Sequence, residues 1–193
     1  MQLVAYGSQD VYLTGNPQIT FWKVVYRRHT NFALESVEQT FNGTVNAGSN
    51  VVATISRNGD LIHKCYVEVT SSSNINTTEL AHNIIESVEL EIGGQQIDKQ
   101  YGDWMQIWNE LSLSADKQDG YKDMVTNLDV ETAKMYIPLQ FFFCTNPGLA
   151  LPLIALQYHE VRIKVKFANI AGLSDAKLWV DYVYLDTDER RRM

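Results

Sequence analysis

Cysteine is scarce in this sequence. Only Cys65 and Cys144 occur among 193 residues, which is too few for a disulfide scaffold, and their separation does not match a zinc site. Both lie in apolar runs, Cys65 before Tyr66 and Cys144 after Phe143. Free cysteine is among the residue types most often found buried. We therefore expect two buried free thiols in a protein that works in a reducing compartment.

Basic residues and long hydrophobic runs are also few. Lysine and arginine number 16 against 23 acidic residues, a formal net charge of −7. This balance disfavours a broad nucleic-acid-binding face and docking on anionic membranes, although it leaves room for a local basic patch. The first residues lack the pattern of a secretory signal, and the longest apolar stretch, residues 147–156, is too short to span a bilayer. We expect a protein that is made and used in the cytosol, or assembled there into something larger.

The residue patterns of common active sites are missing as well. The four histidines stand at no metal-ligand spacing, and the His-x-His pair with which cupins bind a metal is absent. Gly93-Gly94 is not followed by Lys-Ser/Thr, so it predicts a hairpin rather than a phosphate loop. Glu89 and Glu91 share one strand face, which is more typical of a solvated surface than of a glycosidase pair. The sequence predicts no catalytic, cofactor-binding or metal site, and no enzyme.

The clearest positive signal is alternation of apolar and polar residues. Residues 161–167 alternate valine, isoleucine and phenylalanine with charged side chains, and residues 87–92 do the same. A period of two predicts strands with one buried and one wet face. Residues 178–185 are apolar or aromatic on both faces, which predicts a strand covered on both sides. Further strands are expected at residues 32–41, 50–57, 61–71 and 135–144, separated by glycine-rich turns.

Two stretches depart from the strand pattern. Trp104, Ile107, Trp108 and Leu111 follow the i, i+3, i+4, i+7 spacing of one helical face, so residues 101–115 predict a helix. Residues 148–157 predict a short helical turn that opens at Asn146-Pro147. Residues 116–134 are polar and are expected to form a loop.

Aromatic residues are numerous, with 4 Trp, 10 Tyr and 7 Phe. Most can fill the core of a β-sandwich. The run Phe141-Phe142-Phe143 cannot point all three rings into one core from an extended strand, because side chains alternate between faces. At least one ring must meet another surface, and a neighbouring subunit is our hypothesis for it.

Four sequence segments resemble the major capsid proteins of large icosahedral eukaryotic DNA viruses, the iridovirus, phycodnavirus and mimivirus-like groups. The first is residues 10–33, DVYLTGNPQITFWKVVYRRHTNFA, and the second is residues 92–99, IGGQQIDK, followed by Trp104 and residues 107–111, IWNEL. The third is residues 146–161, NPGLALPLIALQYHEV, and the fourth is residues 179–191, WVDYVYLDTDERR. The segments span nearly all of the chain in the family's order.

The resemblance implies an all-β fold, an eight-stranded antiparallel jelly-roll sandwich with short helical inserts. Family members carry two consecutive jelly rolls, and three copies form a pseudo-hexagonal capsomer. This sequence holds only the first roll, so it is either a fragment of a longer capsid protein or a short paralogue. We expect an N-terminal arm at residues 1–16, one jelly-roll domain at residues 17–187 and the start of a connector to a second roll at residues 188–193.

The function implied by the resemblance is construction of a virus shell. The partners are then other copies in a homotrimer, neighbouring capsomers and minor capsid proteins, without sequence-specific nucleic-acid contact and with inner-membrane contact left open. The location is the virion, after assembly in the host cytoplasm. A carbohydrate-binding jelly roll is the alternative, since exposed aromatic rings can stack on sugars. Our candidate assembly residues are Tyr12, Trp22, Arg27, Arg28, Trp104, Trp108 and Phe142.

Overall fold

The computed structural model describes residues 31–71, 81–126, 133–170 and 172–191. The predicted arm at residues 1–16 lies outside these ranges. So do four of the candidate assembly residues, which are Tyr12, Trp22, Arg27 and Arg28.

The described residues form two antiparallel sheets, as the alternation predicts. The first has the strand order β1-β9-β3-β6, with the short β7 also paired to β3, and the second has the order β2-β8-β4-β5. The strands of the described ranges are β1 (Phe32–Gln39), β2 (Asn50–Thr54), β3 (Leu61–Ser71), β4 (Ile85–Ile92), β5 (Gln95–Tyr101), β6 (Ala133–Pro138), β7 (Leu151–Pro152), β8 (Val161–Phe167) and β9 (Leu173–Leu185). Because β7 has only two residues, the eight longer strands make up the sandwich. Apart from the hairpin from β4 to β5, consecutive long strands lie in opposite sheets, as in a jelly roll. The predicted fold is confirmed.

Strand β8 shows how the sequence pattern produces the second sheet. Its residues alternate strictly between buried and partly exposed positions, because every second side chain points into the sandwich. It pairs with β2 on one side and β4 on the other, placing Val165 beside both Val51 and Val88. The alternation predicted for residues 161–167 is confirmed.

Strand β4 departs from strict alternation at two places. Its pairing with β8 shifts register between Ile85 and Ser87, and its pairing with β5 shifts between Leu90 and Glu91. Ser87 and Glu91, predicted on the wet face, are buried. Long basic side chains of β8 cover the carboxylate of Glu91 and form ion pairs with it.

Strand β9 is the long central strand of the first sheet, with β1 and β3 as neighbours. Leu178, Val180 and Tyr182 are fully buried, whereas Trp179 and Asp181 between them are only partly buried. The prediction of a strand covered on both sides is thus wrong for its outer face, where Trp179 and Asp181 remain partly exposed.

The hairpin predicted at Gly93-Gly94 joins β4 to β5. Both glycines have positive φ, 60° and 84°, the backbone region that glycine enters without a steric penalty. The peptide N–H of Gly93 also donates to the carbonyl of Glu160, at 2.9 Å. The turn is therefore held to the loop that precedes β8.

The core lies between the two sheets and extends beneath the helices. Its largest fully buried side chains include Tyr182, Phe141, Phe143 and Phe167. Tyr182 keeps its hydroxyl satisfied by donating to the carbonyl of Ser56, at 2.6 Å, and burial raises its pKa to about 12. Burial of aromatic rings of this size supplies much of the stability of a sandwich.

Helical segments occupy the connections between strands. Helix α1 (Gly102–Ser112) confirms the predicted helix and carries Asp103 in its first turn. The short helix α3 (Phe142–Thr145) and a 3-10 turn at Pro147–Leu149 follow β6. The strand predicted at residues 135–144 therefore ends early, at Pro138, since proline has no N–H to continue the ladder.

Helix α2 (Ala115–Val125) replaces the loop that we predicted at residues 116–134. Its surface is almost wholly polar, and Val125 is its single fully buried residue. The helix therefore lacks the apolar stripe on which sequence prediction depends. A buried contact of Tyr121, described below, holds it to the rest of the fold.

The last described strand is anchored at its end by Asp60, which precedes β3. Its Oδ2 atom accepts from the peptide N–H of Leu185 at 2.8 Å and from Arg190 at 3.0 Å. Arg190 belongs to the short helix α4 (Thr187–Arg190), which Asp186 caps. The acidic and basic residues after β9 are thus tied to the sandwich. No helix of the described residues is long and apolar enough to cross a membrane.

Candidate assembly surface

Helix α1 turns its most apolar face to solvent. Trp104 is 45% exposed and Leu111 is 80% exposed, and Ile107 and Trp108 lie on the same face. The helix is held to the sandwich by the opposite side, where Met105 is fully buried. The i, i+3, i+4, i+7 pattern predicted the helix correctly, but the face that it marks does not line the core of this chain.

Gly102 explains how closely the start of α1 approaches the sandwich. A Cβ atom on this residue would lie 2.3 Å from the carbonyl oxygen of His82 and 2.4 Å from that of Ile85. Only a residue without a side chain fits at such a distance from backbone atoms. The close approach fixes the angle at which α1 presents its exposed aromatic face.

The two tryptophans of α1 form the centre of this face. Their rings are 5.8 Å apart at an interplanar angle of 36°, and both border a cavity of about 480 Å³ whose other walls include Gln140 and Thr145. Tyr101, at the end of β5, lines the same cavity and has the ammonium group of Lys99 5.8 Å from its ring centroid. We call Tyr101, Trp104, Ile107, Trp108 and Leu111 the aromatic face.

Phe142 is a second exposed ring near this region. Phe141 and Phe143 are buried and stacked, with centroids 5.8 Å apart, whereas Phe142 between them is 45% exposed. One ring of the three therefore does leave the core, as the sequence requires. Phe142 belongs to α3, whose Thr145 borders the cavity beside Trp104 and Trp108.

A polar cluster lies behind the aromatic face and joins α1 to α2. The buried His82 ring has its Nε2 atom 2.6 Å from the hydroxyl of Tyr121, and Asn109 of α1 donates to the same hydroxyl. Burial lowers the pKa of His82 to about 4. The ring is therefore neutral at ordinary pH, and it stacks on Tyr121 at 16°.

The outer faces of the two sheets differ from the aromatic face because they are lined with ion pairs. Lys99 pairs with Glu89 at 2.7 Å, and Lys177 pairs with Glu38 at 3.1 Å. Charged faces of this kind are well hydrated. The apolar surface that remains unpaired in the described part of the chain is concentrated on α1, β5, α3 and β1.

Metal-binding side chains are not clustered in the described residues. These residues contain no cluster of three or more histidine, cysteine or acidic side chains suited to a metal ion. Glu89 and Glu91 each have a lysine partner, and Glu91 is buried beneath the basic side chains of β8. The two cysteines are free and buried, as expected.

Sequence reasoning found the tryptophans of the aromatic face but not all of its members. Ile107 and Leu111 belong to the predicted helical face, yet we did not select them for assembly, because the same spacing is usual for a helix packed on its own core. Tyr101 is the last residue of a strand, and nothing in the sequence indicated that its side chain is exposed. The structure brings all of them together with Trp104 and Trp108.

Comparison with protein families gives one match, to the description "Major capsid protein N-terminus", over residues 20–186. The major capsid protein of Pyramimonas orientalis virus is 58% identical over the whole of this chain, which covers 54% of that protein. The major capsid protein of Paramecium bursaria Chlorella virus 1 is 51% identical over 99% of this chain and 48% of its own length. The chain thus spans about half the length of these relatives.

Solved structures give the same result. A crystal structure of PBCV-1 VP54, fitted into a reconstruction of the virophage Sputnik, matches 90% of this chain and 47% of its own, with a TM-score of 0.78 and 46% identity. The Faustovirus major capsid protein matches 97% of this chain with a TM-score of 0.75 at 10% identity. At 10% identity, the match to the Faustovirus protein supports the fold alone.

Proposed function

Since this chain belongs to the major capsid protein family, through the family's N-terminal domain, we propose that it is a structural subunit of an icosahedral virus shell. The observation that carries the proposal is the 58% identity to a viral major capsid protein along the entire chain. The jelly-roll topology and the exposed aromatic face support it, because shell subunits need a rigid sandwich with surfaces left for neighbours.

Immunogold labelling of purified particles tests this role. Antibodies raised against residues 31–191 are expected to decorate the outer shell evenly, because a shell subunit repeats over the whole surface. Antibodies against an unrelated jelly-roll protein are the control. Particles that remain unlabelled while infected-cell extracts react would contradict the proposal.

We propose that the functional unit is a trimer that forms a pseudo-hexagonal capsomer, with two jelly rolls in each complete subunit. The chain covers only 47% of the length of VP54 and 54% of the length of the Pyramimonas virus protein, which leaves room in both for a second domain of similar size. In this arrangement residues 17–187 form the first roll and residues 188–193 begin the connector. Many weak, repeated contacts between capsomers then add up to a stable lattice.

The N-terminal arm, residues 1–16, is proposed to run along the base of the capsomer and contact a neighbour or a minor capsid protein. Deleting it is expected to leave the sandwich folded and to reduce assembly of capsomers into shells. Assembly is measured by electron microscopy and sedimentation of particles from cells that express the complete gene. Unchanged assembly of the shortened protein would exclude this role.

The aromatic face and Phe142 are proposed to contact a jelly roll of a neighbouring subunit. Trp104→Glu is expected to shift the native mass towards smaller species, because a charge in a buried apolar contact is costly. Tyr158→Glu is the matched control, since Tyr158 is 93% exposed and belongs to the loop before β8. Equal native masses for wild type and both variants would contradict the assignment.

The remaining partners follow from the same proposal. The protein is expected in the virion after assembly in the host cytoplasm, in contact with further copies of itself and with minor capsid proteins, and without enzymatic activity.

The carbohydrate-binding alternative uses the same exposed rings, Trp104 and Trp108, as stacking platforms. A glycan array distinguishes the two, since a shell-building role predicts no glycan bound above background.

A further inference from the structure

The chain's two cysteines, 79 positions apart in sequence, meet in the fold. Cys65 is on β3 and is 1% exposed, and Cys144 is on α3 and is 9% exposed. Both line one cavity of about 450 Å³ beside Leu139. The two thiols lie close enough for the Cys144 thiol to raise the pKa of the Cys65 thiol.

The backbone holds the two thiols in this position from both sides. The peptide N–H of Leu139 donates to the carbonyl of Cys65 at 2.9 Å, and the Nδ1 atom of His63 lies 3.2 Å from the carbonyl of Phe143. The segment from Leu139 to Phe143, which leads to Cys144, is therefore attached to β3 at Cys65 and at His63. A disulfide requires two cysteines whose backbones already lie close together, and this attachment provides that condition.

We propose that Cys65 and Cys144 form an intramolecular disulfide when the protein passes from a reducing to an oxidising medium. The bond covalently joins β3 to α3 across the rim of the sandwich, next to the cavity that Trp108 also borders. Release of a particle from the cell is the event that would bring the protein into an oxidising medium, and this part of the inference rests on the proposed function. The chemistry itself belongs to the folded chain alone.

Hydrogen peroxide is a small oxidant that fits the cavity and balances the reaction. Cys144, the more exposed thiol, loses its proton and attacks one peroxide oxygen; the O–O bond breaks, hydroxide leaves, and a sulfenic acid forms. The Cys65 sulfur then loses its proton and attacks the Cys144 sulfur, the S–O bond breaks, and a second hydroxide leaves. The two protons and two hydroxides form two waters, so the thiols lose two electrons and peroxide gains them.

The environment of the pair keeps it reduced until such an oxidant arrives. The hydrogen bond with Cys144, burial and the charge of Asp181 all raise the pKa of the Cys65 thiol. A protonated thiol is a poor nucleophile, so Cys65 reacts slowly. We therefore expect slow, complete oxidation under peroxide rather than spontaneous cross-linking during purification.

Peptide mass spectrometry under non-reducing conditions tests the inference. After peroxide treatment of the purified chain, we expect a peptide that links Cys65 to Cys144, loss of both titratable thiols, and recovery of both with dithiothreitol. The melting temperature is expected to rise on oxidation of the wild type, because a cross-link constrains the unfolded chain. Cys144→Ala, at the less buried position, should show no such rise, and Cys65→Ala provides a second test.

Three results would overturn the inference. They are two free thiols after prolonged oxidation, sulfinic acid at Cys144 without a cross-link, and a disulfide between two chains instead of within one. Each is measured on the isolated chain in the absence of assembly. Failure of the thiol chemistry is therefore distinguishable from failure of the proposed shell function, which is measured on particles.

Discussion

Glu68 is a buried carboxylate that remains charged because its neighbours compensate for the loss of water. Its Oε2 atom accepts from the indole N–H of Trp179 at 2.6 Å, and its Oε1 atom lies 2.8 Å from the ammonium of Lys134. Burial alone raises the pKa of Glu68, but these two hydrogen bonds outweigh burial and lower it. The three residues connect β3, β6 and β9 on the outer face of the first sheet.

Removing the indole donor should therefore weaken the sheet. Trp179→Phe is expected to lower the free energy of unfolding by about 1–3 kcal/mol, since a buried carboxylate loses a charge-assisted bond. Trp104→Phe, the same change on the exposed aromatic face, should cost much less. Urea denaturation at pH 7 measures both. Equal losses in the two variants would show that the bond to Glu68 contributes nothing.

His82 gives the protein a specific sensitivity to acid. Because its folded pKa is lowered to about 4 from 6.5, the stability that depends on the neutral ring is complete above about pH 6.5 and declines as the pH falls towards 4. The decline approaches about 1.4 kcal/mol for each pH unit within that window. The charged side chains of Glu110, Lys122 and Asp123 line the adjoining cavity.

A comparison of two histidine variants isolates this contribution. In His82→Gln, the free energy of unfolding is expected to fall less between pH 6.5 and 4 than in the wild type. His159→Gln, at an exposed position, should show the same fall as the wild type. Direct titration of the His82 ring by NMR provides the second readout. A His82 pKa near 6.5 in the folded protein would refute the assigned burial effect.

At the scale of elements, the two helices between β5 and β6 each contain one glycine, and the surroundings of the two glycines are opposite. Gly102 leaves no room for a Cβ atom beside two backbone carbonyls, whereas Gly120 in α2 has nothing within 4 Å of that position. Gly102→Ala is expected to destabilise the fold by about 1–3 kcal/mol through overpacking. Gly120→Ala should stabilise it by up to about 1 kcal/mol, since alanine favours helix. Thermal unfolding measures both, and shifts of the same sign would contradict this account.

The same elements show how far the sequence determines the fold. The strict alternation of β8 and the turn at Gly93-Gly94 were sufficient to predict a strand and a hairpin, because both signals are local. Helix α2 escaped prediction because its surface is polar and only Val125 is fully buried. Its stability depends on the contact between Tyr121 and His82, which are 39 positions apart.

The aromatic face shows the limit for the candidate site. The spacing of Trp104, Ile107, Trp108 and Leu111 correctly predicted a helix with an apolar side. It could not tell whether that side covers the core or meets another molecule, because both uses need the same spacing. Gly102 and Met105 fix the opposite side of the helix to the sandwich, which leaves the apolar side exposed. That contact is visible only in the folded structure.

For the whole molecule, the distribution of polar and apolar surface accounts for the proposed role. Ion pairs line the outer sheet faces, while the aromatic face and Phe142 leave apolar rings exposed beside the sandwich. Large exposed apolar patches mark contact sites in soluble proteins. A shell subunit uses such patches repeatedly under the symmetry of the particle.

Quantitative peptide mass spectrometry of purified virus particles tests the central claim most directly. A principal shell subunit is present in more copies than other virion proteins, so peptides from residues 31–191 are expected to be the most abundant in the particle. Their release should accompany disruption of the shell rather than of the interior. Peptides absent from particles, or present only at the level of packaged minor proteins, would contradict the proposal that this chain builds the shell.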